Sequence, residues 1–294
     1  MTSSPGLFAL ALSRLLVFLP RSWVRWTGSL LGVFWFDVLR LRRKTMIEHL
    51  DIAFPEKDRA WKTRTARRSL RNFTAGFAEF FALPAIDDAW VERNARIEGM
   101  EHLVEAKKKN KGVYLLSLHM GSYDVAASLM PMRGHETVLI TKFFKNKRLN
   151  DLWFSIRGAR GMKFIEPHGE KTAFDILKAI KRNAGVIFVL DQFMGKPYGI
   201  ATRFFGRETG TAYGLALFVL KTGSPVVPVY SVQGGDGRLR LIFEPEIPVS
   251  SLISDDKDES IRRLTQKFND VIESIVRRYP EEWLWLHRRW KTFE

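Results

Sequence analysis

The chain has 294 residues, 46% of them hydrophobic, with Lys+Arg 47 against Asp+Glu 32 and a formal net charge of +15. That apolar share supplies a sizeable core and excludes a disordered polyelectrolyte, while the cationic excess favours a phospholipid surface, a nucleic acid or an acidic protein as partner. Cys 0 excludes disulfides and thiolate metal sites.

Residues 7–19 are apolar apart from Ser13 and Arg14, and a second apolar stretch covers 26–36. Neither reaches the ~20 residues that a simple bilayer-spanning helix needs. No pattern of a cleaved signal surrounds the first. Trp23, Trp26 and Trp35 suit the headgroup interface, and the cluster Arg40, Arg42, Arg43 and Lys44 favours anionic lipid. Residues 1–44 read as a membrane anchor that dips into one leaflet. The alternative is a helical hairpin packed on the domain that follows, residues 45–294.

A helical pattern covers 45–54 and stops before Pro55. A long amphipathic helix is predicted over 56–83, with Ala66, Leu70, Phe73, Phe77 and Phe80 on one stripe. Its basic residues lie mostly off that stripe, as a solvated or a lipid-binding face. Beyond Pro84 the spacing predicts helices over 99–109, 146–157, 171–181, 210–221 and 258–279. Strands are predicted over 113–118, 137–141, 163–165, 186–190, 202–205, 225–231 and 239–243. The prolines in 225–231 suggest strand ends or a sheet edge. The tail 280–291 fits a strand or an irregular packed segment.

Two of these strands are apolar runs without a charge, as expected for strands buried on both faces of a parallel sheet. One ends in His119 and the other in Asp191 and Gln192. Polar groups at the carboxyl ends of buried strands lie where open α/β sheets place ligands. Histidine is the side chain best suited to take a proton near neutral pH. A tight turn could bring Asp124 back onto its far nitrogen and fix the tautomer. The plainer alternative has His119 satisfied at a strand end and Asp124 capping the next helix. Asp191 is either a site acid or a turn residue. There is no G-x-S-x-G elbow and no cysteine nucleophile, so the nucleophile is expected to be a hydroxyl of the substrate.

Several segments taken together resemble the bacterial lipid A biosynthesis acyltransferases, within the wider lysophospholipid acyltransferase superfamily. They are His49 to Glu56, Ser69-Leu-Arg-Asn-Phe73, His119-Met-Gly-Ser-Tyr-Asp124, Leu190-Asp-Gln192, Phe204-Phe-Gly206, Thr222 to Pro228, and Pro280 to Arg289. The resemblance covers nearly the whole chain. It implies a glycerol-3-phosphate acyltransferase-like α/β fold: a central, mostly parallel sheet flanked by helices, behind an N-terminal hydrophobic anchoring region. It also implies transfer of a fatty acyl chain to a hydroxyl of a lipid A precursor or related lipid at the cytoplasmic face of the inner membrane. The donor would be an acyl carrier protein thioester or acyl-coenzyme A, with no cofactor and no metal.

Carried over by position, His119 is the general base, Asp124 its orienting acid, Asp191 the acid after the second strand, and Arg157 a functional arginine. Gly121, Gln192, Lys142 and Arg160 are substrate-binding candidates. Many lipid A enzymes carry Glu where this chain has Asp124, so a glycerophospholipid or another glycolipid stays open as acceptor. The competing class is a non-catalytic membrane-binding protein on the same fold. A nucleic-acid binder is disfavoured, because the aromatics fall on buried stripes or in the anchor rather than among exposed cations.

Overall fold

The computed structural model describes residues 7–294; residues 1–6 of the predicted anchor lie outside them. In chain order come helices α1 (Leu7–Phe18) and α2 (Arg21–Phe34), a π-helical turn (Trp35–Leu39), α3 (Arg43–Ala53) and α4 (Arg59–Phe80). Then follow α5 (Asp88–Asn94), β1 (Ala95–Glu98), α6 (Met100–Lys108), β2 (Val113–Ser117), α7 (Tyr123–Met132), β3 (Thr137–Ile140) and α8 (Lys147–Arg157). The second half runs β4 (Lys163–Ile165), α9 (Thr172–Lys181), β5 (Gly185–Val189), β6 (Gly199–Phe204), β7 (Arg207–Ala212), α10 (Gly214–Thr222), β8 (Val226–Gln233), β9 (Leu239–Phe243) and α11 (Lys257–Arg278).

Seven strands form one sheet in the order β1-β9-β8-β2-β5-β3-β4. Every pairing in it is parallel except β8 with β9. Strand β2 sits at the centre. Its alternate side chains feed two cores: Tyr114 and Leu116 face the layer that includes α10, α11 and the tail, while Val113 and Leu115 face the layer of α6 and α7. That is why the run carries no charge: neither face of the strand meets water.

Caps set several helix starts. Asp58, Asp87, Asn146 and Asp256 each accept a backbone N–H from the first turn of α4, α5, α8 and α11. Helix α2 lies against α4 at close range. A Cβ at Gly28 would stand 2.6 Å from the Thr74 carbonyl oxygen, so only glycine permits the approach. The N-terminal segment is therefore packed on the domain along one face. Its other face is bare, with Trp23, Trp26, Leu30, Leu31, Phe34, Val38 and Leu39 exposed. No helix among the described residues is long and apolar enough to cross a membrane.

Three sequence expectations need correction. Residues 210–212, predicted as helix, belong to β7, which pairs antiparallel with β6 as a separate hairpin. Strand β1, where no strand was predicted, forms the sheet edge. Pro228 lies in an interior strand, between β2 and β9. It is tolerated because its carbonyl points to the β9 side just past the end of that ladder, where it accepts from Glu244 N at 3.0 Å and no donor is needed. The tail is an irregular packed segment, joined to the chain after β2 by a single bridge between Met120 and Trp283.

Candidate active site

The residues after β2 form a turn held by the tail and by β8. Leu284 N donates to His119 O and Gly121 N donates to Glu282 O, both at 3.1 Å. Ser231 Oγ of β8 donates to Met120 O at 2.9 Å. Gly121 has φ +59°, and a Cβ there would lie 2.6 Å from Ser231 O, so the turn requires glycine on both counts.

Strands β2 and β5 are adjacent and parallel, with Ser117 opposite Val189. Two residues further along each strand direction, His119 and Asp191 come side by side. Asp191 Oδ1 is 2.8 Å from His119 Nδ1, and its Oδ2 accepts from His119 N at 2.9 Å and from Trp283 Nε1 at 2.7 Å. The carboxyl is fully buried. Burial pushes its pKa up, but the charge and hydrogen bonds of His119, with a smaller contribution from His287, outweigh it and hold it well below the usual range.

The carboxylate on the imidazole is thus Asp191, not Asp124 as the motif spacing predicts. Asp124 sits in the first turn of α7 and faces α8, where its Oδ1 accepts from Arg157 Nε at 2.5 Å. Arg157 Nη1 donates to Thr141 Oγ1 at 3.1 Å. Both members of this ion pair are nearly buried. Two diads, His119–Asp191 and Asp124–Arg157, therefore stand next to each other at the carboxyl end of the sheet, and His119 and Arg157 line one cleft.

The Gln192 amide lies 3.3 Å from both nitrogens of His119 and 2.9 Å from His287 Nε2. Being equidistant from the two ring nitrogens, it follows neither lone pair. It is placed to donate to His287 Nε2, and burial and the neighbouring His119 charge push the pKa of His287 down to about 4. His287 of the tail is thus within the site, its ring centroid 5.2 Å from that of His119. Tyr123 meets His119 edge-on at 5.3 Å, and burial raises its phenol above the usual range.

Of the remaining candidates, Lys142 is exposed at the rim of the cleft. Arg160 is elsewhere: its guanidinium donates to the Leu83 and Pro84 carbonyls at 3.1 and 2.6 Å and fastens the turn after α4. The amide of Gly121, a substrate-binding candidate, is already used by Glu282 O. Trp283 and His287 carried no site signal of their own, because packing alone explains the aromatic run of the tail, and Tyr123 lay inside the 119–124 motif without a role assigned to it.

The cleft has a volume of about 640 Å³. Its walls are mainly apolar, Leu139, Ile176, Phe188, Leu217 and Phe218 among them, with Thr141, Lys142, His168 and Tyr198 as polar or aromatic lining. Among the described residues no group of three or more His, Asp or Glu side chains is placed to hold a metal ion. A proton acceptor with a fixed tautomer beside an apolar cleft can serve acyl transfer to a hydroxyl.

Comparison with known proteins points the same way. The profile of the family described as bacterial lipid A biosynthesis acyltransferase matches residues 6–292. The lipid A biosynthesis palmitoleoyltransferase of Escherichia coli (strain K12) is 25% identical over 93% of this chain and 92% of its own. The lauroyltransferase of the same pathway and strain is 23% identical over 93% of each. A phosphatidylinositol mannoside acyltransferase of Mycolicibacterium smegmatis is 24% identical over 76% of this chain and 71% of its own.

Proposed function

The chain belongs to the bacterial lipid A biosynthesis acyltransferase family, and from that premise we propose that it moves a fatty acyl chain from an acyl carrier protein thioester to a hydroxyl of a lipid A precursor or related glycolipid. The observation that carries the mechanism is the His119–Asp191 pair. A carboxylate on Nδ1 keeps the proton there and leaves the Nε2 lone pair to act as base. The acceptor O–H loses its proton to Nε2 as the oxygen attacks the thioester carbonyl. The C–S bond then breaks, and the thiolate takes the proton back from the imidazolium to leave as thiol. An ester is formed, and no acyl-enzyme is needed.

Arg157 is the proposed stabiliser of the developing oxyanion. Asp124 fixes it by Nε and Thr141 by Nη1, while its Nη2 has no hydrogen-bond partner among the described residues. The acyl chain is assigned to the apolar depth of the cleft and the acceptor headgroup to its rim around Lys142.

The exposed apolar face of α1, α2 and the π-helical turn, followed by Arg40, Arg42, Arg43 and Lys44, supports a monotopic seat on the cytoplasmic face of the inner membrane. A glycolipid other than a lipid A precursor is the second reading for the acceptor, favoured by the similarity to the mannoside acyltransferase. The test is to incubate purified protein with acyl carrier thioesters or acyl-coenzyme A and a bacterial lipid extract, and to identify acylated products by mass spectrometry. Absence of any new ester with every donor would leave the non-catalytic membrane protein as the better account.

A further inference from the structure

We propose that Glu79 is a positioning residue for the turn from His119 to Asp124, and that through Arg21 and Arg25 it couples the shape of that turn to the seating of α2. The inference rests on reading α2 as the lipid-facing helix.

Glu79 lies on α4, is 1% exposed and lines no part of the cleft. A buried carboxylate is costly unless its oxygens are paired, and here the partners come from two directions. Its Oε2 accepts from Ser122 Oγ in the turn, from Arg25 Nη1 at 2.9 Å and from Arg21 Nη2 at 3.3 Å. Arg21 Nε faces the other oxygen. Arg25 Nη1 also donates to Ser122 Oγ at 3.1 Å, so α2 touches the turn directly.

Ser122 stands between Gly121 and Tyr123 at the start of α7. Its hydroxyl does not cap that helix; it is committed to Glu79. On α4, Gly76 brings the backbone against the same residue: a Cβ there would lie 3.1 Å from Ser122 Cα. The tail holds the opposite side through the Glu282 carbonyl on Gly121 N. The Glu282 carboxyl is buried beside the same two arginines, with one oxygen unpartnered. The turn carrying His119 and Asp124 is thus held by the Glu79 carboxylate and Arg25 at Ser122 and by the Glu282 carbonyl at Gly121, while Arg21 of α2 braces the same Glu79 carboxylate.

Arg21 and Arg25 are four residues apart, on one face of α2. Trp23 and Trp26 lie 64% and 62% exposed on the other. Packing of apolar groups alone tolerates sliding. Charge-assisted hydrogen bonds do not, since they weaken steeply with distance and angle. A lipid surface that presses on the outer face of α2 therefore acts on Ser122 through two guanidinium groups and one carboxylate.

The test uses full-length protein with vesicles of phosphatidylethanolamine and phosphatidylglycerol, following co-sedimentation and amide hydrogen exchange. Wild type is expected to sediment and to slow its exchange over residues 119–126 by about tenfold or more on binding. Arg25→Met and Glu79→Gln should sediment equally but lose that response. With an acyl carrier thioester as donor they should show kcat lowered by ~10–10²-fold and donor KM unchanged, since a misplaced turn affects the reacting geometry rather than donor binding. Glu79→Asp should restore part of kcat. Arg25 is the less buried partner, so its variant keeps the test open if Glu79→Gln does not fold. Exchange over 119–126 that ignores vesicles in wild type, or an Arg25→Met protein that responds like wild type, overturns the coupling. Absence of sedimentation overturns the lipid seat and the coupling with it. A protein that sediments and responds but transfers no acyl group overturns the enzymatic reading alone.

Discussion

The histidine and its two neighbouring carboxylates separate by what each one touches. Asp191 contacts the imidazole, whereas Asp124 contacts a guanidinium. Replacing His119 by Ala should lower turnover at least ~10²-fold, the lower bound for a positioned base. Asp191→Asn puts an amide where Nδ1 needs an acceptor, favours the wrong tautomer and should cost up to ~10⁴. Asp124→Asn instead loosens Arg157, for which ~10²–10³ is expected if Arg157 serves the oxyanion. The discriminating measurement is the double variant. Asp191→Asn added to His119→Ala should cost little more, while Asp124→Asn added to it should cost a further, separate factor. The reverse pattern would return the orienting role to Asp124.

Two buried groups near the site make opposite pH predictions. Burial pushes the Glu282 carboxyl up to about 7. A raised folded-state value means stability that is full below the ordinary glutamate range and is lost as pH rises through about 7. Glu282→Gln should therefore raise the melting temperature at pH 8, by on the order of 1–3 kcal/mol of stability, and change little at pH 5. His287 is depressed to about 4. Its contribution is present above the ordinary histidine value and is lost as pH falls toward about 4. His287→Gln should flatten that acid limb. Thermal melts of both variants between pH 4 and 8 check the two signs.

At the scale of elements, α2 packs on the domain with one face and leaves the other exposed. Gly28 admits the α4 backbone, and the outward aromatics Trp23 and Trp26 are mostly in solvent. Gly28→Val should strain that contact by ~1–3 kcal/mol, and limited proteolysis should then release the N-terminal segment first. Replacing Trp23, Trp26 and Leu31 together by Ser should leave the melting temperature nearly unchanged, because these side chains are already in solvent, yet weaken sedimentation with anionic vesicles. Sedimentation equal to wild type would argue against this face as a membrane contact. The β6–β7 hairpin shows the opposite case, an element held by polar groups. Thr202, Thr209 and Thr211 are buried and bonded to Asn269 or to Arg289 in the tail. No hydrophobic period announces such a strand, which explains why residues 210–212 read as the start of the following helix.

For the whole molecule, the net charge of +15 acts at a distance. An acyl carrier protein is acidic as a class, so association with it should weaken as salt rises past ~0.15 M, where the Debye length is near 8 Å. Acyl-coenzyme A, small and lacking an extended acidic surface, should be less sensitive. Initial rates with both donors across a salt series would show the difference, and equal slopes would argue against carrier steering.

The α/β class, the central strand and most helices were legible in the chain, because burial on two faces excludes charge from 113–118 and an amphipathic stripe needs apolar side chains at helical spacing. His119 and Asp191 were legible as candidates for a related reason, since strand ends locate side chains to within a turn, whereas Arg157 came only with the family resemblance. The partners of those side chains were not legible. Asp124 is five residues from His119 and Asp191 is far away in the sequence, yet the parallel register of β2 and β5 puts the distant acid on the ring and the start of α7 aims the near one at α8. His287 and Glu79 entered the neighbourhood of the site by the same route. Local pattern determines which face of an element is buried; only the assembled sheet, with its register and the packing of α2 and the tail, decides which polar groups meet.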